Sequence, residues 1–320
     1  MIMPVVLAFA SASMRDLVYD ARYYYQGSRK SYHQIYLCRH DGTNRIQITN
    51  NEFDSAAPMW IDKTHIAYFV KSPYSDGLNF PGIGCKVKAF VYDVISGKSK
   101  KIGGFQASSQ GWVLSSIGNL LTAHLPGRGD PGLTVRFLVS PTKMKQVSGD
   151  DVLKLNPELE DYIKGVLPFK WQSGIWSFSW SANNSGGFGK EPSITFKSGN
   201  SSSRLRGNTA DRAILLRDGA GIVVTKLINQ SNEVSYCLYK FSDKNTKSNL
   251  ISSELEVVDV NRSTLMWSGI QNYSNVRRTG KLNNGVRVSV NRLVAGTLNG
   301  RKMSKVATGL VHVKSSQLRP

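Results

Sequence analysis

Five histidines (His33, His40, His65, His124 and His312) and three cysteines (Cys38, Cys85 and Cys237) are the side chains best suited to proton transfer, nucleophilic attack or soft-metal ligation. Their spacing assigns them to none of these. No two cysteines have the C-x-x-C arrangement of zinc and redox sites, and three thiols cannot close a disulfide framework. Cys38 and Cys237 fall in apolar stretches, where a thiol is usually a small buried hydrophobe. Cys85 falls in a glycine-rich stretch that reads as a loop. The histidines are scattered, four of them in or beside strand-like runs. A ring-shaped fold could gather them as metal ligands, but no sequence feature marks such a cluster. There is no G-x-S-x-G elbow, no H-E-x-x-H and no phosphate-binding glycine loop. No catalytic residue, metal or cofactor is expected.

Recognition chemistry is better represented. Forty-one Lys and Arg stand against 22 Asp and Glu, a formal net charge of +19 over 320 residues. After Asp259 there is no acid, while Arg277, Arg278, Lys281 and other cations continue to Arg319. A field of one sign attracts polyanions or acidic proteins, although a basic soluble protein needs no such partner. Few aromatics accompany this tail beyond Tyr273, which argues against a nucleic-acid groove. The long loop Ser72–Cys85 carries Tyr74, Asn79 and Phe80, and long loops on a rigid scaffold are where binding usually resides. Trp171, Trp176 and Trp180 can stack on a sugar ring or a partner when exposed, or pack between sheets when buried. Tyr23, Tyr24, Tyr25 and Tyr32 flank Arg22, Arg29 and Lys30, a composition shared by recognition surfaces and sheet edges. The candidate binding residues are therefore Tyr74, Asn79, Phe80, Trp171, Trp176, Arg277, Arg278 and Lys281.

The elements that must position these residues read as strands almost throughout. Gln34–His40, Arg45–Thr49, His65–Val70, Lys86–Val94, Leu133–Val139, Gly221–Ile228 and Val234–Phe241 are short runs rich in Val, Ile, Tyr and Phe. Asp41-Gly42 has the look of a two-residue hairpin turn, and Ser96-Gly97, Asp218-Gly219 and Asn284-Gly285 resemble it. One short helix is predicted from Asn156, with Pro157 at its first position, acids in its first turns and a stop at Gly165. With 40% apolar and 20% charged residues the chain is globular, and no apolar run approaches the roughly 20 residues of a membrane helix.

The strands recur in units. Aligned on Trp60, later segments place Trp112, Trp180, Leu215 and Val258 at equivalent positions, with steps of about 35 to 50 residues once the predicted helical insertion is removed. Such periods suit four-stranded propeller blades, and the count comes to about six. A blade cannot bury both faces alone, so its strands should be apolar on both sides, as His65–Val70 is. The opening unit is a strand short, and Gly309–Val313 is left over at the end to close the ring; Met1–Phe9 competes for that slot.

Residues Ile35 to Tyr68 resemble the repeat of the TolB-type β-propeller. The resemblance is carried by Ile35-Tyr36-Leu37, Asp41-Gly42, Ile48-Thr49, Asp54, Pro58, Trp60, Asp62 and Ile66-Ala67-Tyr68. The turn after Trp60 reads Ile-Asp-Lys-Thr, where the family favours Ser-Pro-Asp-Gly. The resemblance implies an all-β propeller, its Asp and Trp structural, presenting loops around a central channel as an envelope or extracellular binding module. It extends to the propeller portion of that family only. Residues 1–12 read either as an export signal, with A-x-A sites at Ala8–Ala10 and Ala10–Ala12, or as an N-terminal strand. Residues 13–320 are expected to form one domain, a monomer. The expected role is a non-catalytic module for a protein or anionic polymer, periplasmic or secreted (cytoplasmic if residues 1–12 are a strand). The alternative is a propeller enzyme, a polysaccharide lyase or hydrolase, with at least three His or carboxylate groups converging at the channel mouth.

Overall fold

The computed structural model describes residues 15–24, 32–73, 85–107, 113–125, 133–148, 170–173, 176–181, 193–198, 201–206, 209–215, 221–228, 234–242, 245–250, 257–261, 266–271, 279–281, 285, 287–297 and 303–320. Every regular element among them is a β-strand, gathered into four-stranded antiparallel sheets. Sheet I holds β1 (Leu17–Tyr23), β2 (Gln34–Cys38) and β3 (Ile46–Gln47), together with β26 (Val311–Leu318) from the far end of the chain, in the order β26-β1-β2-β3. Sheet II runs in chain order through β4 (Asp54–Trp60), β5 (His65–Pro73), β6 (Cys85–Asp93) and β7 (Lys98–Ala107). Sheet III follows with β8 (Val113–Ile117), β9 (Leu120–Leu125), β10 (Leu133–Val139) and β11 (Met144–Val147). Sheet IV is β12 (Lys170–Ser173), β13 (Trp176–Ser181), β14 (Ser193–Ser198) and β15 (Ser201–Arg206). Sheet V is β16 (Thr209–Leu215), β17 (Gly221–Ile228), β18 (Val234–Ser242) and β19 (Asn245–Leu250). Sheet VI pairs β20 (Val257–Asn261), β21 (Met266–Gln271), β24 (Arg292–Thr297) and β25 (Met303–Ala307); a separate hairpin of β22 (Thr279–Lys281) and β23 (Arg287–Ser289) interrupts it.

The first strands of sheets I, II, III and VI meet. β26 touches β4, β8 and β20, and β4 touches β8, so these sheets radiate from a shared axis. The physical cause is visible in β1, which reads Leu-Val-Tyr-Asp-Ala with all five residues buried. Alternate side chains of a strand point to opposite faces. Leu17, Tyr19 and Ala21 pack with Met266, Ile270, Leu293 and Ala295 of sheet VI. Val18, with Ile35 and Leu37, packs instead with Trp60, Ile66 and Tyr68 of sheet II. The other face of sheet II carries Met59, Phe69, Val87 and Ala89 against Leu121 and Phe137 of sheet III, where Phe105 stacks on Phe137 at 4.9 Å between centroids. Each large apolar side chain buried this way contributes about 1.5–3 kcal/mol. A sheet with two apolar faces needs a neighbour on each, and radial stacking supplies both.

Closure is by β26. It pairs antiparallel with β1 from Leu17↔Leu318 to Tyr23↔Val311, which places the C-terminal strand inside the N-terminal sheet. The expected closing strand is therefore present, lying at Val311–Leu318 instead of Gly309–Val313. Gln317 on it ties three sheets: its Oε1 accepts from the Trp60 amide of sheet II, and its Nε2 donates to the Gly118 carbonyl at 3.0 Å in sheet III.

Four local expectations change. The Asp41-Gly42 turn is not a two-residue hairpin, because β2 ends at Cys38 and β3 begins only at Ile46. Asp41 Oδ1 instead accepts from the Thr43 amide at 2.9 Å, and Gly42, at φ +84°, packs so close to the Val306 backbone that a Cβ would lie 3.1 Å from it. Trp180 lies on β13, the second strand of its sheet, and so is not equivalent to Trp60 on the first strand β4. Cys85 opens β6 and is buried, so it is not a loop residue. Finally, Trp267 is among the largest fully buried side chains of the chain, although the repeat alignment passed it over. The predicted helix at Asn156–Gly165 and residues 1–12 lie outside the described residues.

Candidate functional site

The seam between sheets I and II has two ends, and four of the five histidines gather there; His124 lies instead on β9, its Nδ1 2.9 Å from Thr134 Oγ1. At the Tyr23 end, antiparallel pairing sets Arg22 opposite His312. His33 stands just before β2 and is buried. Its Nε2 lies 3.4 Å from His312 Nδ1, with the rings edge to face at 5.4 Å. One of these two nitrogens carries the shared proton and the other accepts. The His33 amide donates to Asp54 Oδ1 at 2.8 Å, and the Arg22 guanidinium donates to the same oxygen at 3.2 Å. Asp54 opens β4, so its carboxylate ties sheet I to sheet II.

The electrostatics at this end are dominated by cations. Burial, reinforced by Lys314 and Arg22, lowers His33 to about 2 and His312 to about 4, so both rings are neutral at pH 7. Burial also lowers the pKa of Lys71; Lys314 pushes it the same way, while Cys85 and Asp54 oppose. Asp20 lies deeper and is fully buried. Burial pushes its carboxyl up to about 6, against the Ser315, Lys314 and Ala57 amides that favour the charged form. Its Oδ1 accepts from the Ser315 amide at 2.8 Å and from the Lys314 amide at 3.0 Å. Ala57, with φ +49°, sits in the β4 bulge between Ala56 and Met59.

At the opposite, Leu17 end the histidines meet acids. His40 Nδ1 lies 2.8 Å from Asp16 Oδ2, and His65 Nδ1 lies 2.9 Å from Asp62 Oδ2. Asp62 Oδ1 also accepts from the Thr64 amide at 2.7 Å and the His65 amide at 2.9 Å, which makes it a turn cap. Arg319 lies over the Trp60 ring at 5.4 Å and donates to the Lys63 carbonyl.

A third feature lies on the outer strands of sheet II. A cavity of about 230 Å³ is lined by Lys86, Lys88, Lys101, Gly103, Gly104 and Phe105, among others. Lys98 and Lys100 are exposed on the same edge strand, β7. Gly104, at φ +155°, lies so near the Val87 carbonyl that a Cβ would be 2.3 Å from its oxygen. Lysines also protect an open sheet edge against pairing with another chain.

The sequence-predicted residues separate. Tyr74, Asn79, Phe80, Arg277 and Arg278 lie outside the described residues. Trp171 is on β12 and Trp176 on β13, with Ser173 directly opposite Trp176. Lys281 is exposed on β22, opposite Arg287 of β23. Among the described residues the basic tail is spread over different places: Lys314 reaches the Tyr23 end, Arg292 donates to Gln271 at 2.9 Å, and Arg319 is held at the Leu17 end. Sequence reading named Arg22 beside its tyrosines and Asp54 as a structural residue of the repeat, but it missed their pairing, the His33–His312 pair and the β6–β7 lysines. Only the lysines carried a signal, their density between Lys86 and Lys101. Cys38 is buried and its thiol is pushed up to about 12 by that burial, so it is a packing residue and not a nucleophile. Among the described residues no three His, Cys, Asp or Glu side chains are grouped to hold a metal, and no helix is long and apolar enough to cross a membrane.

No family model and no curated protein matches the chain. Solved structures do. The chain is similar to the isopeptidase AtxE2 in a variant bound to astexin3-dC4, at 13% identity and a TM-score of 0.51, over 91% of this chain and 49% of that one. It is also similar to TolB from Acinetobacter baumannii, at 13% identity and a TM-score of 0.49, over 96% of this chain and 67% of that one. The β-propeller domain of the Trilobed protease from Pyrococcus furiosus matches at 9% identity and a TM-score of 0.32, over 86% of this chain and 74% of that one. The chain spans about half the length of the isopeptidase chain it matches. At such identities the likeness is one of fold. With β26 closing sheet I and four-stranded sheets stacked about it, the fold is a β-propeller, and its Ile35–Tyr68 unit resembles the TolB-type repeat.

Proposed function

We propose that the protein is a non-catalytic binding module whose propeller presents a basic surface to an acidic protein or anionic polymer, at the cell envelope or outside the cell. The observation that supports this reading is the lysine-lined groove of β6 and β7. Lys86, Lys88 and Lys101 line its cavity, and Lys98 and Lys100 extend the charge along the edge strand. Five cations over two paired strands, against Asp93 as the acid, form a field that attracts a polyanion. The net charge of +19 adds long-range attraction of the same sign. The test is retention of the purified protein on immobilised polyglutamate and on heparin. Wild type should elute at high salt, because exposed ion pairs are screened within about 8 Å at physiological ionic strength. The triple variant Lys86→Glu, Lys88→Glu and Lys101→Glu should elute at clearly lower salt. Equal elution of the two proteins would remove the groove from this role.

A further inference from the structure

We propose that the Tyr23 end of the seam between sheets I and II is a binding site for one oxyanion group, a phosphate or a carboxylate, held by Arg22, Lys314 and the His33–His312 pair. The argument begins with unmatched donors. Arg22 Nε is buried and has no hydrogen-bond partner among the described residues. A guanidinium Nε–H is always a donor, so an acceptor is owed to it. His33 Nδ1, on a ring that is itself buried, also lacks a partner among the described residues, and it is a donor in the tautomer in which His312 Nδ1–H donates to His33 Nε2. Leaving such a group unpaired costs about 1–3 kcal/mol, which is why buried orphans mark places where something else binds.

The charges at this end point to the same ligand. Arg22, Lys71 and Lys314 influence one another or the same histidines, so three cations crowd one end of the seam. They face two carboxylates. Asp20 is committed to backbone amides of β26, and Asp54 is shared between Arg22 and the His33 amide. The facing groups from each neighbouring strand are therefore Arg22 and Asp20 from β1, Lys314 and His312 from β26, Asp54 from β4 and Lys71 from β5. An oxyanion beside Arg22 would accept from Nε, offset the Lys314 charge and accept a hydrogen bond from an imidazole N–H. A metal ion fits poorly, because the two histidine nitrogens face each other and the surroundings are cationic.

The inference goes beyond the partner-binding reading and does not depend on it. The polyglutamate experiment concerns β6 and β7; this one concerns β1, β2 and β26 and uses small anions. Full-length protein at low ionic strength is titrated with inorganic phosphate and, separately, with succinate, while the imidazole signals of His33 and His312 are followed by NMR. Binding should move both histidines and should raise the pH at which His312 titrates. A response to phosphate alone or to succinate alone identifies the source of the oxyanion. Arg22→Gln should weaken binding about tenfold or more, since a charge-assisted guanidinium contact is lost. Lys314→Gln, at an exposed position, should weaken it several-fold (about threefold or more) without disturbing the fold. Lys281→Gln on β22 should change nothing. Unmoved imidazole signals with both anions would overturn the proposal, as would Arg22→Gln and Lys314→Gln proteins that bind like wild type.

Discussion

At the Leu17 end of the seam each histidine meets a carboxylate, His40 with Asp16 and His65 with Asp62. At the Tyr23 end His33 and His312 meet each other, with Arg22 and Lys314 nearby. The same two sheets form both ends, so the difference lies in what each end is built from. At the Leu17 end, the acid comes from a neighbouring turn or an adjacent strand, and the pairs are partly exposed. At the Tyr23 end, the partner arrives on β26 from nearly the whole length of the chain away, and burial keeps both rings neutral. The first arrangement fastens turns. The second gathers three cations about Asp20 and Asp54 and leaves Arg22 Nε and His33 Nδ1 without a partner among the described residues.

Three measurements would sharpen or break this contrast. The largest effect is expected from Asp20→Leu. It leaves the part-buried Lys314 and Ser315 amides without the acceptor that the buried Asp20 supplies, and each orphan costs about 1–3 kcal/mol at most, so unfolding should occur at lower denaturant concentration. Asp20→Asn keeps a carbonyl for those amides and should lose far less. If the leucine variant is as stable as the asparagine one, Asp20 is not what fastens β26 to β1.

The second measurement is the pH dependence of thermal stability. His33 and His312 titrate in the folded protein at about 2 and about 4, below the ordinary 6.5. Their contribution is intact above pH 6.5 and is lost as pH falls towards 4 and then 2, because the unfolded chain takes up the protons more readily. Asp20, raised from 3.8 to about 6, works in the opposite sense: its contribution is full below 3.8 and is lost as pH rises through 6. His312→Asn should therefore lose less stability than wild type between pH 6.5 and 4. Parallel curves would mean that the neutral pair is not what responds to acid.

The smallest effect belongs to the Leu17 end. Asp62→Ala removes a turn cap and an exposed pair, and should cost about 1 kcal/mol, read as a shift of a few degrees in Tm. A loss as large as that of Asp20→Leu would show that the two ends are fastened alike.

Much of the fold could be read from the chain because its causes are local. The Ile35–Tyr68 repeat contains its own instructions: apolar strands, a capped turn at Asp41, Trp60 for packing and Asp62 to reverse the chain. The structure places Trp60 in the seam at 2% exposure and Asp62 at the turn. The repeat also implied that some strand must return to close the ring. Trp180 misled because a tryptophan within a strand run does not say which strand of a blade it occupies. The His33–His312 pair could not be read at all. Nothing near His33 resembles anything near His312, and the two meet only because β26 pairs with β1.

The sequence alone determined an all-β repeat protein with two-faced strands, a strongly positive charge and a packing role for Cys38. Those properties follow from residue type and short-range spacing, which act before any sheet meets another. Tertiary structure alone decided which cations share a mouth, which carboxylates neutralise them and which donors stay unmatched. Electrostatics and hydrogen bonding depend on distance in space, and ring closure brings residues from opposite ends of the chain to within 3.4 Å.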